Sequence, residues 1–188
     1  MNDLLLDLAQ VLDAQTSSTS LHESYYLYGW IETTHVLTLA VFLGMLLIID
    51  LRMLGLAFRS VPASVIAEKL DRPMMIGFAV MVMSGLALFY AIPVRTTQSI
   101  WFRLKVVLLL AAGLNALLFR RAMQNSVSDW DSSSPPARIK AGATLSLCLW
   151  SGVIAAGRMI AYDWFDCHQQ MARLMYWAAG CLSELESL

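Results

Sequence analysis

The sequence predicts an all-α membrane protein: a bundle of four transmembrane helices, with an amphipathic segment at either end lying on the membrane surface. Three observations carry this reading. Hydrophobic residues make up 58% of the 188-residue chain and charged residues only 14%, against about 25% charged in an average soluble domain. The apolar residues gather in four blocks, each close to the roughly 20 residues that cross a bilayer as a helix. Aromatic residues collect near one set of block ends, as they do at a membrane–water interface.

Residues 1–26 form the first outer segment. Leu4, Leu5, Leu8, Val11 and Leu12 recur at helical spacing beside Asp3, Asp7 and Asp13, the pattern of a helix lying in the interface. The segment is not read as a cleavable signal, because such a signal opens with basic residues and residues 1–32 contain no Lys or Arg. The transmembrane domain occupies 27–162, with spans at about 28–51, 74–92, 101–119 and 141–162. The centre of the first span, 36–49, carries no charge. The second span stops at Pro93, since proline cannot continue a helix from within. Residues 61–70 read as a short surface helix. Residues 126–136, with Ser132, Ser133, Ser134, Pro135 and Pro136, read as turn and linker. Tyr25, Tyr26, Tyr28, Trp30, Tyr90, Trp101, Tyr162 and Trp164 form the aromatic belt of one interface. Residues 163–188 form an outer amphipathic tail, in which Trp164, Phe165, Leu174, Trp177 and Leu182 alternate with Asp166, Gln169, Arg173 and Glu184.

Orientation follows from Lys and Arg in the connections. One side carries eight: Arg52, Arg59, Lys69, Arg72, Arg120, Arg121, Arg138 and Lys140. The other carries five: Arg95, Arg103, Lys105, Arg158 and Arg173. Both termini are therefore expected outside. The net charge of −1, with no basic stripe and no Gly-rich phosphate loop, excludes a nucleic-acid partner. Small residues, among them Gly44, Gly77, Gly85, Gly142, Gly152 and Gly157, mark faces where helices approach closely in lipid.

Ionisable groups inside a span cost several kcal/mol unless they are paired or face a cavity. Glu32 and His35, three apart, share a face of the first span. Lys105 lies one turn into the third span and Arg158 one turn from the end of the fourth. Together they form a candidate site of one acid, one imidazole and two bases near the outer face. Near the inner ends stand Asp50, Arg52, Asn115 and Arg120, read as interhelical hydrogen bonds and positive-inside anchors. Thr144, Cys148, Ser151 and Arg158 share one face of the fourth span and suggest a polar cavity, the alternative being ordinary back-bonding to the helix. His35 is the only histidine in any span, so a bis-histidine haem is excluded and a haem would have Lys, Met or an open position opposite it. If the outer tail is one helix, Cys167 and Cys181 lie about 21 Å apart along it, too far to bridge. Cys167 and His168, with His22, are then an external metal site at most.

Stretches 23–56, 101–121 and 146–162 resemble a family of bacterial four-helix membrane proteins of unknown function. The most specific matches are Glu32-Thr33-Thr34-His35, Asp50-Leu51-Arg52 with Gly55, Lys105 with Asn115, and Gly157-Arg158. Members often carry a His after the residue matching Phe119, where this chain has Arg120. More distantly, His35, Gly44 and Trp101 with Lys105 are similar to the copper resistance protein D group and to four-helix haem-binding protoporphyrinogen oxidases. That resemblance implies a b-type haem with His35 on the iron, and Lys105 and Arg158 beside propionates, a quinone or a substrate anion. Glu32 would orient His35. It also implies the bacterial inner membrane. The alternative is a non-enzymatic membrane subunit or a copper- or ion-handling protein. The expected partners are the lipid bilayer, a periplasmic or membrane protein, and a second copy in a homo-oligomer.

Overall fold

The computed structural model describes residues 2–131, 134–162, 167, 170 and 172–181, with side chains for all but 2, 3 and 124–130. All regular structure among them is helical: α1 (Asn2–Asp13), α2 (Thr16–Glu23), α3 (Leu27–Leu54), α4 (Ala63–Ala91), α5 (Pro93–Thr97), α6 (Ile100–Trp130), α7 (Ala137–Tyr162) and α8 (Arg173–Ala179). Helices α3, α4 and α7, and the stretch Ile100–Met123 of α6, are each long and apolar enough to cross a membrane. Their exposed residues agree. Leu37, Met83 and Leu110 leave 65%, 68% and 70% of their surface uncovered, and large apolar side chains this open along the spans suit a non-aqueous surrounding. Lipid is the medium that covers them. The protein is a multi-pass membrane protein of four transmembrane helices.

The chain divides into two compact units. Unit 1 gathers Met1–His35, Met83–Val107 and Val153–Leu188, and unit 2 gathers Val36–Val82 and Leu108–Gly152. In unit 2 the core joins Met53, Ala63, Met123, Ile139 and Ala143. Phe42 sits between Phe78 and Trp150, with ring centroids 6.0 and 4.9 Å away. Arg52 is fully buried, and its guanidinium donates to the carbonyls of Val61 and Asp131, both at 2.8 Å. Asp131 in turn caps α4. Its carboxylate accepts from the Ser64 N–H at 2.7 Å and the Ser64 hydroxyl at 2.6 Å, which satisfies donors that the first turn of a helix leaves open. α3 stops at Gly55, whose φ of +71° closes a Schellman turn. The Gly55 N–H bonds the Arg52 carbonyl and the Leu56 N–H bonds the Leu51 carbonyl, both at 3.0 Å.

Two boundaries differ from expectation. The surface helix read at 61–70 is continuous with the second span, so α4 starts at Ala63 and runs through Pro73. Pro73 is exposed among Glu68, Lys69, Asp71 and Arg72, where water can take the carbonyl that proline leaves free. α6 runs to Trp130, through residues whose composition reads as linker. The contacts of Arg52 and Ser64 with Asp131 hold that end, and local propensity does not outweigh them.

In unit 1, α1 packs on α5. Ala9 is buried while Leu4, Leu8 and Val11 stay exposed, an apolar stripe suited to the membrane interface. α2 is fastened to the end of α4: Ser18 Oγ donates to the Tyr90 carbonyl at 2.7 Å, and Ser17 Oγ shares a 2.5 Å hydrogen bond with the Tyr90 hydroxyl. The tail corrects the cysteine reading. Cys167 and Cys181 form a disulfide with Cα atoms 5.5 Å apart. The helical segment between them, α8, covers only Arg173–Ala179 and ends in a left-handed turn at Gly180, φ +82°, so the two cysteines are not on one continuous helix. Arg103 holds this turn, donating to the carbonyls of Ala178 at 2.9 Å and Thr97 at 3.1 Å. Trp164, Phe165, Asp166, His168, Gln169, Leu182 and Glu184 of the expected amphipathic tail lie outside the described residues.

The Asp131 cap is expected to respond to pH. Its hydrogen bonds from Ser64 hold its carboxyl below the usual carboxylate range. The stability it adds is therefore present above the unfolded value of about 3.9 and is lost as pH falls through the lower folded value. Asp131→Ala should destabilise the protein by about 1–2 kcal/mol at neutral pH and flatten that acid slope, checked by thermal unfolding in detergent between neutral and acid pH.

Candidate functional site

His35 is the best-defined member of the expected site. It stands two turns into α3, where the antiparallel α4 brings up Ser84 and Gly85. The imidazole Nδ1 and Ser84 Oγ are hydrogen-bonded at 2.9 Å. Ser84 is buried, and the ring lies against Gly85. A Cβ built on Gly85 would come within 3.2 Å of His35 Cε1, so a side chain there would make the ring give by a few tenths of an ångström. The bond to Ser84 fixes the orientation of the ring, with Nδ1 as donor in one tautomer and as acceptor in the other.

Lys105 is half-buried on α6 and reaches towards α7. Its Nζ lies 3.4 Å from where a Cβ on Gly157 would stand. Among the described residues no hydrogen bond or ion pair engages its ammonium. Arg158 behaves differently. It is exposed, donates to the Tyr162 hydroxyl one turn on at 2.8 Å, and lies 4.7 Å from the centre of that ring. Glu32 is exposed, and its charge acts on Tyr28, one turn earlier on α3. All four residues belong to unit 1. Among the described residues the contacts join His35 to α4 and Lys105 to α7, and they join Arg158 to Tyr162 of its own helix.

The polar stripe read on the fourth span faces the opposite way from the expectation. Thr144, Cys148, Ser151 and Arg158 are exposed, while Ala143, Ser146, Trp150, Val153 and Ala156 face inward. Thr144 Oγ1 bonds back to the Lys140 carbonyl at 3.0 Å. Both stripes repeat at helical spacing, and the smaller, more apolar one packs. Among the described residues no group of three or more His, Cys, Asp or Glu could hold a metal ion, and the disulfide denies Cys167 the thiolate that an external metal site would use. Unit 1 also holds an open cavity of about 530 Å³ between α2 and α5, lined by Asp13, Ser18, His22, Arg95, Gln98 and Cys167 among others.

A family model matches residues 21–163, from α2 to just past the end of α7. The chain belongs to DUF6644, a family of unknown function. No protein of curated function and no solved structure matches the chain. The DUF6644 match covers the four transmembrane helices and with them His35, Ser84, Lys105 and Arg158, and it stops short of the Cys167–Cys181 bridge. The likeness to the copper resistance protein D group and to the haem-binding oxidases rests on the short motif matches alone.

Ser84 and Gly85 are the site residues that the sequence reading missed, Ser84 altogether and Gly85 as more than a packing residue. The signal was present, since Ser84 is the one hydroxyl in the apolar middle of the second span. Gly85→Ala should force the imidazole off Ser84 and destabilise the protein by about 1–3 kcal/mol through overpacking. Gly44→Ala, whose Cβ meets nothing within 4 Å, should stay within about 0.5 kcal/mol of wild type. Thermal unfolding of the two variants in the same detergent checks the difference.

Proposed function

We propose that this protein is a membrane-embedded redox protein that holds a b-type haem on His35 in unit 1, with Lys105 as the counter-charge for a propionate. The observation that carries the reading is the seating of His35. Its ring is fixed on Gly85 and hydrogen-bonded through Nδ1 to Ser84, as a ligating histidine is commonly held by its second nitrogen. The donor set fits the group: one imidazole for the iron and, for a carboxylate, one ammonium that has no charged partner among the described residues. When bound, the haem would supply one-electron chemistry. This chain's own residues would hold the ligand's orientation, through Ser84, and balance charge, through Lys105. Arg158, already engaged by Tyr162, has the lesser share of that balance. A quinone suits the same donors as an electron partner. The alternative, a non-enzymatic membrane subunit or ion-handling protein, is favoured by the same Lys105, which would attract an anion without any haem.

We place the protein in a bacterial inner membrane with both termini outside. The eight-to-five bias of Lys and Arg supports this. So does the disulfide in unit 1, the unit that contains both terminal segments, because such bonds persist on the oxidising side of a membrane.

Protein expressed with ample haem should purify with a Soret band. His35→Ala should abolish the band, and Lys105→Ala should weaken haem affinity about tenfold or more, equivalent to ~1.4 kcal/mol. Arg158→Ala, His22→Ala and His168→Ala should leave affinity within about twofold, a difference of ~0.4 kcal/mol. Colourless wild-type protein, or full haem retention in His35→Ala, contradicts the assignment.

A further inference from the structure

Unit 2 holds an ionisable group that the redox reading does not use. Asp50 lies near the end of α3 and is only 3% exposed. The Ser146 side chain of α7 hydrogen-bonds its carboxyl group, while Oδ2 has no hydrogen-bond partner among the described residues. Among the described residues no Lys, Arg or His forms an ion pair with it. Charged groups at the same ends of these helices have partners of their own. Arg52, two residues on, donates to the carbonyls of Val61 and Asp131. Arg120 of α6 is paired with Asp71 of α4 at 3.0 Å. Lys140 of α7 donates to Ser134. The amide of Asn115 on α6 donates to the Gly142 carbonyl at 3.1 Å. Ile49, next to it in the chain, packs on the apolar core of the unit, which Met53, Ile139 and Ala143 share.

A carboxylate so placed has lost its water and gained one hydrogen bond. In a lipid-surrounded interior that arrangement persists only if positive charge reaches it from outside the chain. We propose that Asp50 is a binding site for a small cation, a proton or a sodium ion, within the transmembrane domain. Oδ2 is the atom that takes the cation, and the hydrogen bond from Ser146 holds the carboxyl group. Both occupants are hard cations on a carboxylate oxygen; a proton needs Oδ2 alone, whereas a sodium ion would take its further oxygen ligands from water. The inference does not depend on haem at His35.

The full chain in lipid nanodiscs at neutral pH tests this by infrared spectroscopy and by thermal unfolding in sodium chloride or choline chloride. A bound proton gives the C=O stretch of an un-ionised buried acid, lost in Asp50→Asn. A bound sodium ion gives an unfolding temperature that rises with sodium but not with choline, a rise lost in Asp50→Asn. Either result supports the site and names its occupant. Ser146→Ala covers the case in which Asp50→Asn fails to fold. It keeps the carboxyl group and should shift the C=O frequency or weaken the sodium dependence severalfold. Wild-type protein with neither the band nor the sodium dependence overturns the proposal. So does a band or dependence unchanged in both variants.

Discussion

Lipid supplies no hydrogen bonds and no counter-charge, and the rest of this structure follows from that one constraint. Every backbone group within the membrane has to be satisfied by the chain. The four long helices meet that demand internally along their lengths, so the difficulty is concentrated at their ends. There the chain uses side chains and tight turns. Gly55 closes the end of α3 on the carbonyls of Leu51 and Arg52. Asp131, just beyond α6, caps the first turn of α4 and offers its own carbonyl to Arg52. A buried arginine is costly unless its donors are used, and the two bonds of Arg52 to carbonyl oxygens turn that cost into a clasp between the end of α3 and the connection before α7.

The same constraint separates structural charges from candidates for function. Arg52 and Arg103 donate to backbone carbonyls and need no ligand to explain them. Arg158 leans on Tyr162 at an exposed position, which suits a long cationic side chain reaching for an interface. Lys105 and Asp50 differ from these. Each is sheltered, and neither has a charged partner among the described residues. His35 lies between the two classes, since Ser84 bonds one nitrogen and fixes the ring against α4. The unmatched charges in the two units carry the functional case, each considered within its own unit.

Much of this was legible in the sequence, and the failures have physical causes. The spans could be read because their apolar length is dictated by the bilayer, and His35 and Lys105 stood out because ionisable groups are rare there. Helix ends were less legible. Residues 61–73 and 120–130 have the polar composition of a membrane surface, and composition alone does not separate a solvated helix from a loop. The tertiary contacts of Ser64 and Asp131 decide it. The face of α7 was misread because periodicity fixes which residues lie together and leaves open which side turns inward. Ala143, Ser146, Trp150, Val153 and Ala156 pack as well as any polar stripe would, and lipid accepts Thr144 once its hydroxyl is bonded to the Lys140 carbonyl. The cysteine bridge was missed because a continuous tail helix was assumed, whereas the left-handed turn at Gly180 ends α8 after seven residues.

The central claim is that four transmembrane helices carry both terminal segments to one side of the membrane and the connections after α3 and α6 to the other. Reporter fusions after Ser134 and at the C-terminus, made with a phosphatase active only outside the cell and a fluorescent protein that folds only inside it, test this directly. The account predicts fluorescence without phosphatase activity at Ser134, and phosphatase activity without fluorescence at the C-terminus. The same reporter active at both positions would contradict the four-span arrangement.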